Sequence, residues 1–124
     1  MLDGFKNMAA MANLMRDLPR IKARLGEVRS KAESTRVAAS SGGGAVTVVA
    51  SCKLTIESVS VEPALLAALA GSGGPESQAL AADLIREATN LALERARLSM
   101  MEALAEAARD LDLPISPEQL KELL

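Results

Sequence analysis

From Glu76 to Asp110 the chain runs 35 residues without a proline or a glycine. At 1.5 Å per residue, a helix of that length is about 50 Å long. The clearest strand-like sequence is GGGAVTVVASCKLTIESVSVEPALL, residues 42 to 66. Two or three short strands cannot cover such a helix in one copy of the chain. The expected arrangement is therefore half of a dimer, with a small sheet as the platform for projecting helices.

The long segment has two faces. Leu84, Leu91 and Leu98 recur every seven residues, and Ala81, Ala88, Ala92 and Ala96 form a small-residue face that admits another backbone closely. Pro75 suits the first helical position, and Glu76 complements the positive end of the helix dipole. Beyond Pro114, Ser116-Pro117-Glu118-Gln119 reads as a capping box opening a short terminal helix.

The N-terminal segment is also periodic. Met11, Leu14, Leu18, Ile21, Leu25, Val28 and Ala32 alternate spacings of three and four, an a/d stripe that requires a partner. Met8, Met11 and Met15 fit a helix core better than an adaptable docking surface. Pro19 allows two outcomes: a kinked helix, or a new helix capped by Asp17. Between the helices, Thr35 to Ser40 suits an edge-like strand, SSGGG a turn, and Ala45 to Ala50 an alternating strand. Leu54 and Ile56 are out of phase with Val59 and Val61, so the third strand is either bulged near Glu57 and Ser58 or apolar on both faces. ALLAALAGSGGP is a short helical coil or turn.

Charge is unevenly divided. Up to Ser41 there are eight Lys or Arg against four acids, a balance of plus four, so with a net charge of −2 the rest of the chain sums to minus six. On the a/d register Lys22, Arg29 and Arg36 fall at e, and Arg24 and Lys31 at g. These cations suit either an anionic partner or pairing with Glu87, Glu94, Glu102 and Glu106 of the second helix.

Several chemistries are excluded by residue type. With no histidine and one cysteine, no zinc site and no Ser-His or Cys-His nucleophile pair is available, so neither catalysis nor a metal or other cofactor is expected. The glycine clusters lack the Lys and Ser/Thr of a phosphate-binding loop. Phe5, the only aromatic, offers no stacking platform for single strands. The lone Cys52 suits a reducing compartment, and no apolar run is long enough to span a bilayer. A cytoplasmic protein with no membrane and no small-molecule partner is expected.

Gly44-Ala45-Val46-Thr47-Val48, then Val59-Ser60-Val61-Glu62-Pro63-Ala64-Leu65-Leu66, then Asp83-Leu84-Ile85 and Ala88-Thr89-Asn90-Leu91-Ala92 together resemble the YbaB/EbfC family of bacterial nucleoid-associated proteins. The resemblance covers about half the chain and includes the helix, sheet, helix order. It implies a dimer with a central sheet and long projecting helices, located at the nucleoid, which binds DNA with little sequence specificity and has no catalytic role. Ser51-Cys52 stands where the family often has Asn-Gly, which makes Cys52 a turn residue. Glu62 replaces the usual Asp, Pro19 interrupts a helix that the family usually keeps continuous, and a capped helix replaces a flexible tail.

The fold expected is α+β, a single domain over residues 1–124 with helix 5–33, sheet 35–62, helix 75–111 and terminal helix 116–124, assembled as a homodimer. Its function is expected to be low-specificity binding of double-stranded DNA through phosphate contacts from Arg16, Arg20, Lys22, Arg24, Arg29 and Lys31. The alternative is a dimeric adaptor or chaperone-like protein that binds a protein partner and not DNA.

Overall fold

A computed structural model describes residues 2–112 of the chain, with side chains from residue 8 onward except those of residues 10 and 14. In chain order it forms α1 (Leu2–Ser34), β1 (Arg36–Ser41), β2 (Val46–Ser51), β3 (Thr55–Val61), α2 (Pro63–Leu69) and α3 (Pro75–Asp110). The class is α+β, with a three-stranded antiparallel sheet in the order β1-β2-β3. The terminal helix expected over 116–124 lies outside the described residues. Two compact units are formed: one from Lys31 to Glu102, the other from the residues up to Ser30 together with those from Ala103 onward.

In the first unit, register dictates which side chains meet. Val48 lies opposite Ala39 on β1 and Val59 on β3, and Val46 lies opposite Ser41 and Val61. Directly opposed residues share a face. One face of the sheet is therefore apolar, with Val37, Ala39, Val46, Val48, Ala50, Ile56, Val59 and Val61, while the other carries Ser40, Thr47, Thr55, Ser58 and Ser60. On the apolar side Ala39, Val46, Val48 and Ala50 form one buried cluster with Ala88, Ala92 and Ala96 of α3, flanked by Val37, Leu65, Leu84 and Ile85. The methyl side chains of α3 let the helix settle close to the strands. Burying each valine there contributes about 1.5–3 kcal/mol.

The out-of-phase residues of β3 are reconciled by a bulge. The register shifts between Val49 and Ala50, whose partners are Ser58 and Ile56, which leaves Glu57 as the extra residue. Ile56 thereby rejoins the face of Val59 and Val61, and the strand is not apolar on both sides.

Cys52 lies in the β2–β3 turn, as expected, and is nonetheless buried, its N–H donating to the Thr35 carbonyl. The conformational load falls two residues later, on Leu54, which has φ 65° and an N–H donating to the Ser51 carbonyl. A left-handed leucine costs roughly 1–2 kcal/mol. Because the Leu54 side chain is exposed, Leu54→Gly gives up little burial, and it is expected to raise stability by about 1 kcal/mol, read as a higher midpoint in urea unfolding. An unchanged or lower midpoint would show that the turn carries no such strain. At the β1–β2 turn, where Gly42 and Gly43 have φ 59° and 66°, glycine meets the same demand without cost.

In the second unit Ile21, Leu25 and Val28 of α1 are buried, as are Leu104, Ala107, Ala108 and Leu111. One helix runs through Pro19 with no new helix starting there. The a/d stripe, however, is only half used within the chain: Met11 and Leu18 are exposed. Met8 and Met15 are exposed too, so the methionine cluster is not core.

Candidate nucleic-acid interface

The cations of α1 are set by helical spacing around the seam of Ile21, Leu25 and Val28. Arg20 and Arg24 lie on one flank, Lys22 and Arg29 on the other, and Arg16 points away from the seam. The structure divides these residues by what they touch. Arg24 donates to Glu27 Oε2 at 2.9 Å and to Asp110 Oδ2 at 2.8 Å. The Glu27 hydrogen bond above all, aided by the Asp110 charge, pushes its guanidinium above its usual range. Arg20 donates to the Leu111 carbonyl at 3.3 Å, just past the end of α3, and lies 3.8 Å from Asp17. A cation suits that position, because the last carbonyls of a helix form the negative end of its dipole. Arg20 and Arg24 thus fasten α1 to the last turn of α3.

The other four expected contact residues, Arg16, Lys22, Arg29 and Lys31, are exposed, and among the described residues none has an acidic partner. Lys22 and Arg29, seven residues apart, stand about 10 Å apart along the helix axis. Elsewhere cations are mostly matched. Arg36 pairs with Glu57, Lys53 with Glu33, Arg86 with Asp83 and Arg97 with Glu94, and Arg95 donates to the Ala38 carbonyl at 2.7 Å. Charge left unneutralised in this way is therefore concentrated on α1.

Asp110 was not among the acids expected to face α1, although it continues the four-residue spacing of Glu102 and Glu106. Glu94 is instead taken by Arg97 on its own helix, at 2.7 Å. That hydrogen bond holds the Glu94 carboxyl below its usual range. The contribution of the pair is thus present at neutral pH and is lost as pH falls through the lowered folded value. Being exposed, the pair adds little to stability. Among the described residues no group of three or more potential metal ligands is found, and no helix is long and apolar enough to cross a membrane.

Comparison with known proteins gives concordant matches. Residues 8–111 match the model of the YbaB/EbfC DNA-binding family. The chain is 30% identical over 101 residues to a nucleoid-associated protein of Anaeromyxobacter dehalogenans strain 2CP-1, covering 82% of this chain and 91% of that protein. It is 26% identical over 107 residues to a nucleoid-associated protein of Afipia carboxidovorans, covering 86% and 95% respectively. With a nucleoid-associated protein of Clostridium novyi it shares 33% identity over 96 residues, 75% of this chain and 78% of the other.

Proposed function

The chain belongs to the YbaB/EbfC DNA-binding family, and from that premise we propose that it is a nucleoid-associated homodimer that binds double-stranded DNA with low sequence specificity through α1. The observation that carries this reading is the set of four exposed cations that have no acidic partner among the described residues, Arg16, Lys22, Arg29 and Lys31. Cations spread along one helix contact phosphates, and phosphate contacts fix position without reading sequence. Arg20 and Arg24 serve the fold first, holding the helix that presents the others. Dimerisation is supported by the apolar residues that a single chain leaves exposed, Ile56 and Val59 on β3 and Leu80, Leu91 and Leu98 on α3.

A mobility-shift titration against several unrelated duplexes of equal length, at two salt concentrations, tests the proposal. Similar affinities are expected for all of them, with log K falling linearly in log salt. Absence of a shift at low salt with micromolar protein would reject DNA binding and leave the protein-adaptor reading. A shift with only one duplex would reject the low-specificity mechanism.

A further inference from the structure

The apolar stripe of α1 outruns its cover. Ile21, Leu25 and Val28 are buried, but toward the N-terminus Leu18 is 37% exposed, Met15 72%, Met11 64% and Met8 70%. Cover is lost where α3 ends. Arg24 reaches Asp110, and Arg20, one turn earlier, reaches the Leu111 carbonyl. The earlier residue of α1 thus meets the later residue of α3, so the two helices run in opposite directions and the residues before Leu18 lie past the last turn of α3. Asp112 then takes a left-handed conformation, φ 52°, which stops that helix beside α1. None of the four exposed residues belongs to the set on β3 and α3 that supports dimerisation. A contiguous exposed apolar row of this kind marks a contact surface.

We infer that residues 113–124 of the same chain dock on this row as a short helix, prolonging the α1–α3 seam. Sequence supplies the fitting surface. With Ser116 as N-cap and Gln119 completing the capping box, Ile115 and Leu120 stand at the two positions of a hydrophobic staple. Leu120, Leu123 and Leu124 share one side of the helix, and Glu118, Lys121 and Glu122 take the other. A helix this short is not stable alone in water, so its leucine face needs a support. Length and placement select α1. Ser116 to Leu124 makes a helix about 13 Å long, and Leu18 to Met8 spans about 15 Å of α1. Leu113 to Ile115 can bridge up to about 10 Å from the end of α3. Tethering at the edge of the row also gives this segment a far higher effective concentration there than a separate molecule has. Methionine side chains, unbranched and flexible, adapt to a leucine face. The inference depends neither on DNA binding nor on dimerisation.

Methionine oxidation reads the cover directly, because peroxide attacks a thioether according to its exposure. In the wild-type chain Met8, Met11 and Met15, followed by mass spectrometry of their peptides, are expected to oxidise severalfold more slowly than free methionine. In the double variant Leu120→Asp, Leu123→Asp they are expected to oxidise at the free rate, with the helical circular dichroism retained. Free-rate oxidation in the wild type would overturn the inference. So would protection that survives both substitutions, since another surface would then cover the row. A second arm identifies the chain that supplies the segment. Met11→Cys with Leu120→Cys, in a Cys52→Ala background, is expected to be joined by a short bismaleimide into a product with the mass of one chain on a denaturing gel. A two-chain product would assign the row to a second copy, and that result or the absence of any linkage would overturn the inference. If the aspartate variant loses its helical signal, the crosslink decides.

Discussion

Replacing Ala92 with Glu is expected to unfold the chain, whereas the same substitution one residue earlier, Leu91→Glu, leaves it folded. Both positions lie mid-helix, and the difference in helix propensity between the residues involved is well under 1 kcal/mol. Their environments differ far more. Ala92 is fully buried against Val46, Val48 and Ala50. A glutamate there has neither room nor a partner, and an unpaired buried carboxylate costs several kcal/mol, comparable with the whole stability of a domain this size, about 5–15 kcal/mol. Leu91 is 40% exposed in a single chain, so a glutamate there leaves the chain's own core intact and bears only on the proposed dimer contact. Circular dichroism and thermal melts of the two variants distinguish the positions. A cooperative melt near the wild-type temperature for Ala92→Glu would show that α3 does not rest on the sheet by its alanine face. Loss of structure in Leu91→Glu would show instead that the leucine stripe is needed for the chain to fold.

The second large effect concerns DNA. The double variant Lys22→Ala, Arg29→Ala is expected to bind every duplex more weakly by the same factor. Each lost phosphate contact removes roughly 0.9 from the salt slope, which at 0.1 M salt corresponds to about eight-fold in affinity per contact. Thermal stability should be unchanged, since both side chains are exposed and among the described residues neither has an acidic partner. Arg24→Ala provides the contrast. It removes the ties to Glu27 and Asp110, so it is expected to lower the melting temperature while the salt slope stays near that of wild type. If instead Arg24→Ala reduces the slope and the double variant does not, the division of the six cations between fold and binding is reversed. If neither changes the slope, α1 is not the phosphate-binding element.

How far the sequence reveals this protein varies by element. The two long helices were legible because their periodicity is local. Three- and four-residue spacings around Ile21, Leu25 and Val28, and the alanines from Ala81 to Ala96, place their residues on one side of a helix whatever lies opposite. The hairpin was legible for the same reason, down to the alternatives for β3, since a break in two-residue alternation is visible in the chain itself. What covers each face was not legible. Leu91 and Ala92 are adjacent apolar residues, and only the position of the sheet makes one a core residue and the other a surface residue. Choosing the Glu57 bulge over a two-faced strand needed the pairing of Val49 and Ala50 across the ladder, a contact no spacing encodes.

The site divides along the same line. That the N-terminal helix carries the positive charge is a property of composition, readable from eight basic residues against four acids up to Ser41. Which of those charges remain available is a property of the packed chain. Sequence places Arg24 and Arg29 on opposite flanks of the seam without saying which flank meets an acid, but Arg24 lies within 3 Å of Asp110, 86 residues away, and Arg29 meets no acid among the described residues. Helical phase is fixed by the order of side chains along one segment. Neutralisation depends on distance in space, which tertiary structure alone sets, because Coulomb energy falls with separation and is screened by water wherever charges are not in contact.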